Sequence, residues 1–258
     1  MTKSAETAHD LVVFGATSFV GQILTRYLLE TYGVGQSVKW AIAGRSESKL
    51  NTLKSSLGDK ARDLPVILAD AADDAALKSM CEQTRVIIST VGPYALYGEP
   101  LVKACVQTGT DYCDLTGEVQ WIRKMVERYE AEAKTSGARI VHCCGFDSIP
   151  SDMGVWFLQN QAEQTFGMPC QDVRMRVKTA KGEFSGGTVA SMMNVAKEAA
   201  ADPKLRKELA NPFSICPPEH RSKTRQPSLK GAEFDKTFNA WLAPFVMGAI
   251  NTRVVHRS

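Results

Sequence analysis

The first apolar stretch of the chain runs into a helix through a turn of small residues, from Leu11 to Gly21 (LVVFGATSFVG). Backbone amides at the start of such a helix, with the positive end of its dipole, form an anion site. Gly15 suits a sharp turn and Gly21 suits close packing of helix on strand. The spacing is Gly-x-x-Ser-x-x-Gly, with Ser18 where a middle glycine is common. We predict that this turn binds the pyrophosphate of a dinucleotide through Gly15, Ala16, Thr17, Ser18, Phe19 and Val20.

The first half of the chain alternates short apolar segments with helical stretches. Strands are predicted over 10–14, 38–43, 65–69, 86–90, 112–115 and 139–143. Helices are predicted near 19–32, 46–57, 73–82, 99–108 and 118–136. Regular alternation of this kind produces a parallel sheet with right-handed crossovers and helices on both faces. We therefore predict an α/β fold, a Rossmann-type doubly wound parallel sheet, over residues 8–150.

The pattern changes after Pro150, and residues 151–258 are predicted to form part of a second, α+β domain. A helix is expected to start near Ser151, with Ser151 or Asp152 as its cap. Residues 172–179 alternate apolar and charged positions, which predicts a strand with one wet face. A glycine-rich turn and a helix near 189–201 follow, and residues 211–230 are predicted to form a loop. The chain ends without a stop signal, so this domain is expected to be truncated.

The end of the second predicted strand indicates which dinucleotide is bound. Folds that prefer NAD usually carry an acidic residue there, on the ribose hydroxyls. This chain has Gly44, Arg45 and Ser46 instead, and a guanidinium with a hydroxyl suits a 2′-phosphate. We predict NADP, although an ordinary surface arginine remains an alternative. Asp70, at the end of the third strand, is predicted equally well as an adenine contact or as a turn residue.

Two further segments provide candidate residues for catalysis. The fourth strand ends in Thr90, Val91, Gly92 and Pro93, which are predicted to contact the cofactor because ligands bind at carboxyl strand ends. Tyr94 follows and is the best candidate for a proton donor. Asp147 lies in a polar turn expected at an interdomain cleft. It is predicted mainly to brace that turn, with contact to substrate or nicotinamide as the alternative.

Charge and hydropathy limit the partners. The formal net charge of +3 does not indicate nucleic-acid binding. Residues 172–258 carry a net charge of +7, which leaves open an acidic substrate, a carrier protein or an anionic membrane surface. A solvated basic face is the favoured explanation. Without an apolar run of about 18 residues, no transmembrane segment is predicted.

The start of the chain and its cysteines indicate the compartment. The first ten residues are polar and contain no secretion signal. Seven cysteines lack a Cys-x-x-Cys pair and have no histidine at ligand spacing, so they are predicted to be reduced thiols without a metal. We predict a cytoplasmic protein, with lipid or peripheral membrane contact left open. The tyrosine–lysine pair of short-chain dehydrogenases and the hydrolase and zinc-protease motifs are all absent.

Five segments occur in a familiar order and spacing: GATSFVGQ at 15–22, AGRS at 43–46, VGPYALYGE at 91–99, DLTGE at 114–118 and GFDSIPSD at 145–152. Together they resemble the saccharopine dehydrogenase-like oxidoreductases, a group that includes the trans-acting enoyl reductases. The resemblance covers nearly all of residues 8–160 and continues more weakly to the end.

The resemblance implies an NADP-type Rossmann domain followed by a domain that binds substrate and often dimerises. It favours a reductase acting on a carbon–carbon double bond of a lipid-like substrate, either free or carrier-bound. A saccharopine-type dehydrogenase that oxidises an amine is the alternative enzyme. A non-catalytic NADP sensor is the alternative of another class. Turnover of NADPH with an unsaturated acyl thioester, or of an amino-acid adduct, would separate the three.

Overall fold

The computed structural model describes residues 7–182 and 185–258. These residues divide into two compact units. One unit holds residues 7–144 with 185–196, and the other holds 145–182 with 197–258. The division therefore falls at residue 144, whereas the sequence analysis placed the domain boundary at residue 150.

The first unit is built on a sheet of six parallel strands in the order β3-β2-β1-β4-β5-β6. This order confirms the predicted Rossmann-type doubly wound sheet, in which the chain builds outward in both directions from β1 and β4. The strands are β1 (His9–Phe14), β2 (Trp40–Gly44), β3 (Val66–Leu68), β4 (Thr84–Ser89), β5 (Asp111–Asp114) and β6 (Ile140–Val141).

The central strands are apolar on both faces because helices cover both sides of a parallel sheet. In β1, Val12 and Val13 are fully buried, and in β2 Ala41 and Ile42 are equally inaccessible. Neighbouring side chains on a strand point to opposite faces, so this pattern requires cover on each side. Burial on both faces thus holds β1 and β2 in the centre of the sheet. The candidate site residues directly follow the carboxyl ends of these two strands.

Helices connect the strands of the first unit, and their starts follow from capping chemistry. Ser18, Ser46 and Asp73 each accept a backbone N–H of the helix that follows. Trp121 and Ile122 lie on the buried face of the helix over Val119–Ser136. The helices are α1 (Phe19–Tyr32), α2 (Glu47–Ser56), α3 (Asp74–Glu82), α4 (Tyr94–Tyr97), α5 (Glu99–Thr108) and α6 (Val119–Ser136).

The remaining elements are mostly helical. They are α7 (Ile149–Phe166), α8 (Gly186–Ala201), α9 (Pro203–Leu209), the antiparallel hairpin of β7 (Glu233–Asp235) and β8 (Ala240–Leu242), and α10 (Gly248–Arg257). The prediction that α7 starts at Ser151 was wrong by two residues, because Pro150 occupies its first turn, where a missing N–H is harmless. None of the described helices is long and apolar enough to cross a membrane.

The strand predicted over residues 172–179 does not form. Its alternating side chains instead engage in ion pairs: Arg174 pairs with Asp172, and Arg176 lies 2.8 Å from the Asp235 carboxylate at the end of β7. A strand needs a neighbouring backbone to pair with, and the two described sheets contain no ladder to this segment. Alternation of charge alone therefore misled the prediction.

Candidate functional site

The turn after β1 lies between the carboxyl ends of β2 and β4. The Gly15 N–H donates to the Ala43 carbonyl at 2.9 Å, and the Thr90 N–H donates to the Phe14 carbonyl at 2.9 Å. Gly15 has φ +85°, a conformation that L-residues avoid. A Cβ on Gly21 would overlap the Gly15 carbonyl oxygen. Both glycines are therefore required by geometry, at the switch point where doubly wound sheets bind ligands.

Ser18, the residue that replaces a middle glycine, points its side chain inward. Its hydroxyl accepts the Gly21 N–H at 2.9 Å and bonds to the Thr90 hydroxyl, also at 2.9 Å. Thr90 in turn donates to the Gly15 carbonyl. The serine thus caps α1 and ties the turn to β4. Its presence strengthens the turn without occupying the space in front of the helix.

The first turn of α1 offers backbone donors to an anion. Helix geometry leaves the N–H groups of Phe19 and Val20 without intrahelical acceptors, and Ser18 satisfies only that of Gly21. This turn contains no acidic side chain that would repel a phosphate. Ala16 is fully buried, so it can contribute only its backbone, and the Thr17 carbonyl accepts from Gln22. The arrangement suits a pyrophosphate.

Arg45 stands directly beyond the end of β2 and is exposed. Its guanidinium has no hydrogen-bond or ion-pair partner among the described residues. Gly44 closes the strand, and a Cβ there would meet only ordinary contacts with Leu50. The Ser46 hydroxyl accepts weakly from the Lys49 N–H at 3.4 Å, which leaves its own proton available. Arg45 and Ser46 are thus neighbouring residues that each keep a donor available at the end of β2.

Asp70 forms a turn after β3. Its carboxylate accepts the Ala72 N–H at 3.0 Å, and its carbonyl accepts the N–H of Asp73, the cap of α3. Of the two roles that the sequence left open, the structure provides the turn. The adenine contact remains a prediction.

The segment after β4 carries Val91, Gly92 and Pro93, with a cis peptide bond between the last two. Val91 packs beside Gly15, so this segment borders the turn after β1. Glu118 holds the far end of the segment. It is 1% exposed, and its carboxylate accepts the N–H groups of Tyr94 and Ala95 at 2.7 and 2.9 Å.

Glu118 therefore occupies the start of α4. Its Oε1 also accepts the Ser191 hydroxyl of α8 at 2.8 Å. Since the first amides of α4 are already taken, the turn before α1 is the better of the two places for a phosphate. In the sequence, Glu118 is marked only by its place in the DLTGE segment, and nothing near it in the chain indicates this role.

The position of Tyr94 does not suit the predicted proton donor. The side chain is 5% exposed, and its hydroxyl donates to the Ser89 carbonyl at 3.0 Å. Burial, aided by the nearby charge of Asp114, raises the pKa of Tyr94 well above its usual range. Both facts give Tyr94 an internal role, in which its phenol braces the end of β4.

Asp147 does not brace the turn as expected either. Its side chain is exposed, and the buried contact belongs to the next residue, Ser148, whose hydroxyl donates to Asn251 at 3.2 Å. The sequence indicated a polar turn correctly but selected the wrong member of the Asp-Ser pair. Asp147 remains available for an external contact.

A sheet of this order, with an acid-free helix start at its switch point, is typical of nucleotide-binding proteins of the Rossmann type. Residues 11–141 match the family model described as the saccharopine dehydrogenase NADP-binding domain. The chain therefore belongs to that family. This assignment confirms NADP as the cofactor, and the donors at Arg45 and Ser46 fit its 2′-phosphate.

Curated relatives match almost the whole chain. It is 40% identical over 255 residues to a putative trans-acting enoyl reductase of Mycobacterium tuberculosis, covering 96% of this chain and 60% of the relative. It is 36% identical over 266 residues to a trans-acting enoyl reductase of Mycobacterium bovis, covering 98% and 62%. The chain thus spans about 60% of the length of these relatives.

Among solved structures, the apo saccharopine dehydrogenase (L-Glu forming) of Saccharomyces cerevisiae is similar, with a TM-score of 0.47 and 20% identity. The match covers 60% of this chain and 32% of that one. This likeness is too distant to bear on substrate or mechanism.

Replacing Phe19 by Asp tests the anion site. Phe19 is 68% exposed at the start of α1, so the change disturbs little packing. An acidic side chain there should stabilise the helix by about 0.3–1 kcal/mol. It should also repel the pyrophosphate and weaken NADPH binding roughly tenfold or more, as measured by calorimetry. The neutral isostere Phe19→Asn is the control, and equal affinities for the two variants would contradict the site.

Replacing Arg45 by Ala tests the 2′-phosphate contact. Loss of a charge-assisted hydrogen bond should weaken NADPH binding by about 1.5–3 kcal/mol, or roughly ten- to a hundredfold. NADH lacks the phosphate, so its affinity should stay within about twofold. Calorimetric titration of both cofactors provides the comparison. If both weaken equally, Arg45 acts on the fold instead of on the phosphate.

Proposed function

We propose that the chain is the cofactor-binding part of an NADP-dependent reductase that acts on a carbon–carbon double bond of an acyl or lipid-like substrate. The observation that carries the proposal is the pairing of an open, acid-free helix start at Phe19 with the free guanidinium of Arg45. Similarity to enoyl reductases over 96–98% of the chain supports the type of substrate.

Each residue has a binding role in this proposal. The backbone from Gly15 to Val20 would hold the pyrophosphate, and Arg45 with Ser46 would hold the 2′-phosphate. Asp70 would lie on the adenine side. Thr90, Val91, Gly92 and Pro93 would border the other half of the cofactor. When bound, NADPH supplies a hydride, and the chain fixes its orientation.

The substrate is proposed to be presented by another protein. The relatives are named trans-acting, and residues 172–258 carry a net charge of +7 that suits an acidic carrier. Comparing an acyl thioester on free coenzyme A with the same acyl group on an acyl carrier protein tests this part. A carrier-linked substrate should lower KM, and the advantage should shrink as salt screens the charges. Equal KM values would remove the carrier from the proposal.

The activity itself is tested by following the absorbance of NADPH with an α,β-unsaturated acyl thioester. The proposal predicts oxidation of NADPH that needs the thioester and falls in Arg45→Ala at sub-saturating cofactor. Turnover of saccharopine with NADP⁺ instead would identify an amine-oxidising dehydrogenase. Tight NADPH binding without either activity would identify a sensor.

A further inference from the structure

A buried pair of titratable side chains lies at the carboxyl ends of β5 and β6, and the cofactor contacts do not use it. Asp114 is the last residue of β5, and His142 follows β6 directly. The Oδ2 of Asp114 is 2.7 Å from the Nδ1 of His142. Their side chains are 0% and 9% exposed, respectively.

The hydrogen bonds of Asp114 determine how His142 is protonated. Its Oδ1 accepts the N–H groups of Thr116 and Cys143, each at 3.0 Å. An ionised carboxylate only accepts, so Oδ2 requires a donor at Nδ1 of His142. This contact places a proton on Nδ1 in both the neutral and the charged ring. The second nitrogen, Nε2, is then the one that can gain or lose a proton.

Aromatic neighbours hold the imidazole of His142 in place. The ring centroid of His142 lies 4.9 Å from that of Trp121 and 5.8 Å from that of Tyr112, and both contacts are T-shaped. Burial, followed by the charge of Asp114, raises the pKa of Tyr112 well above its usual range, so this phenol does not compete as an acid. The Nε2 atom of His142 has no hydrogen-bond partner among the described residues, and it is partly accessible to solvent.

The location of the pair fits one half of the cofactor. The pyrophosphate site lies between β1 and β4, and Arg45 at the end of β2 marks the side of the adenosine 2′-phosphate. The opposite half of a dinucleotide must then extend over β4, β5 and β6. Asp114 and His142 stand at the carboxyl ends of the last two strands, where the reacting ring and the substrate would meet.

We propose that His142 is the proton donor of the reduction and that Asp114 orients it; this inference rests on the proposed function. NADPH, when bound, would supply a hydride to one carbon of the substrate double bond, and the π electron pair would move to the other carbon. That carbon forms its new C–H bond with the proton of Nε2, whose N–H bond breaks. His142 is left neutral, with its remaining proton on Nδ1 and hydrogen-bonded to the Asp114 carboxylate, and solvent returns a proton to Nε2.

Nuclear magnetic resonance of the histidine side chains tests this placement without relying on turnover. Chain labelled with ¹⁵N-histidine is titrated with NADP⁺ and, separately, with adenosine 2′,5′-bisphosphate, which lacks the nicotinamide half. His142 signals, assigned by their loss in His142→Gln, should show Nδ1 protonated and should shift with NADP⁺ only. His9 is the internal control. It lies at the amino end of β1, whereas His142 follows the carboxyl end of β6, so its signals should not respond.

Unchanged His142 signals, in a sample whose calorimetry shows bound NADP⁺, would overturn the inference and leave the cofactor site intact. Absence of NADP⁺ binding would overturn both this inference and the proposed function. In the kinetic arm, His142→Gln should keep NADPH affinity within about twofold and lower turnover of the enoyl thioester by about 100-fold or more. Full activity of this variant would also overturn it. A wild-type chain that binds NADP⁺ with shifted His142 signals but reduces no enoyl substrate would refute the proposed function and, with it, the role of His142 as its proton donor, while the placement of His142 near the nicotinamide half would stand.

Discussion

A Glu118→Gln variant is expected to unfold with a free energy about 2–4 kcal/mol below that of the wild type. The carboxylate is buried and accepts three donors, from Tyr94, Ala95 and Ser191. An amide keeps one acceptor oxygen and turns two N–H groups toward donors that need acceptors. The loss should appear in urea denaturation as a lower midpoint with an unchanged slope.

Glu127 provides a matched control for that experiment. It lies on α6, the helix that begins directly after Glu118, with a side chain 57% exposed, and it pairs with Arg123 one turn away. Because exposed pairs contribute little, Glu127→Gln should change the free energy of unfolding by only about 0.5 kcal/mol. Similar losses in the two variants would show that the buried carboxylate of Glu118 contributes no more to stability than an exposed one.

A Gly15→Ala variant is expected to lose about 2–5 kcal/mol of stability, from backbone strain together with overpacking. The position has φ +85°, and the added Cβ would lie 2.7 Å from a methyl group of Val91 and 2.8 Å from the Thr90 hydroxyl. Thermal unfolding of the purified variant measures the effect. Gly15 is therefore a poor choice for testing cofactor affinity alone, because its substitution disturbs the fold first.

A Gly58→Ala variant separates backbone strain from overpacking. Gly58 has φ +76°, but no atom lies within 4 Å of an added Cβ. Gly58→Ala should therefore lose only the conformational part, about 1–3 kcal/mol. If both alanine variants lose the same amount, the contacts of Gly15 with β4 do not constrain the turn.

Local sequence patterns were sufficient for the sheet and for the turn after β1. Apolar runs of strand length, separated by capped helices, leave few arrangements other than a parallel sheet. Gly15 and Gly21 can be recognised from the sequence because almost no other residue fits their positions. Gly15 has a positive φ, and Gly21 is in close contact with the backbone. Arg45 can be recognised because it follows the second strand, and in folds of this type the residue there generally contacts the ribose or its 2′-phosphate.

The same local reasoning failed where the outcome depends on a distant partner. The alternation over residues 172–179 predicted a strand, but no described strand pairs with it, and Arg176 pairs with Asp235 instead. Tyr94 was selected for its place after a strand. Its hydroxyl turns inward because the Ser89 carbonyl accepts it there.

What the sequence alone determined is thus the order of the elements, the glycines of the turn after β1 and the type of cofactor, since each depends on residues close together in the chain. Only the tertiary structure showed that Glu118 closes the start of α4 and that Asp114 lies beside His142, 28 residues away. The physical reason is that hydrogen bonds between side chains depend on distances of about 3 Å. Packing of β4, β5 and β6 sets those distances, and spacing along the chain does not encode them.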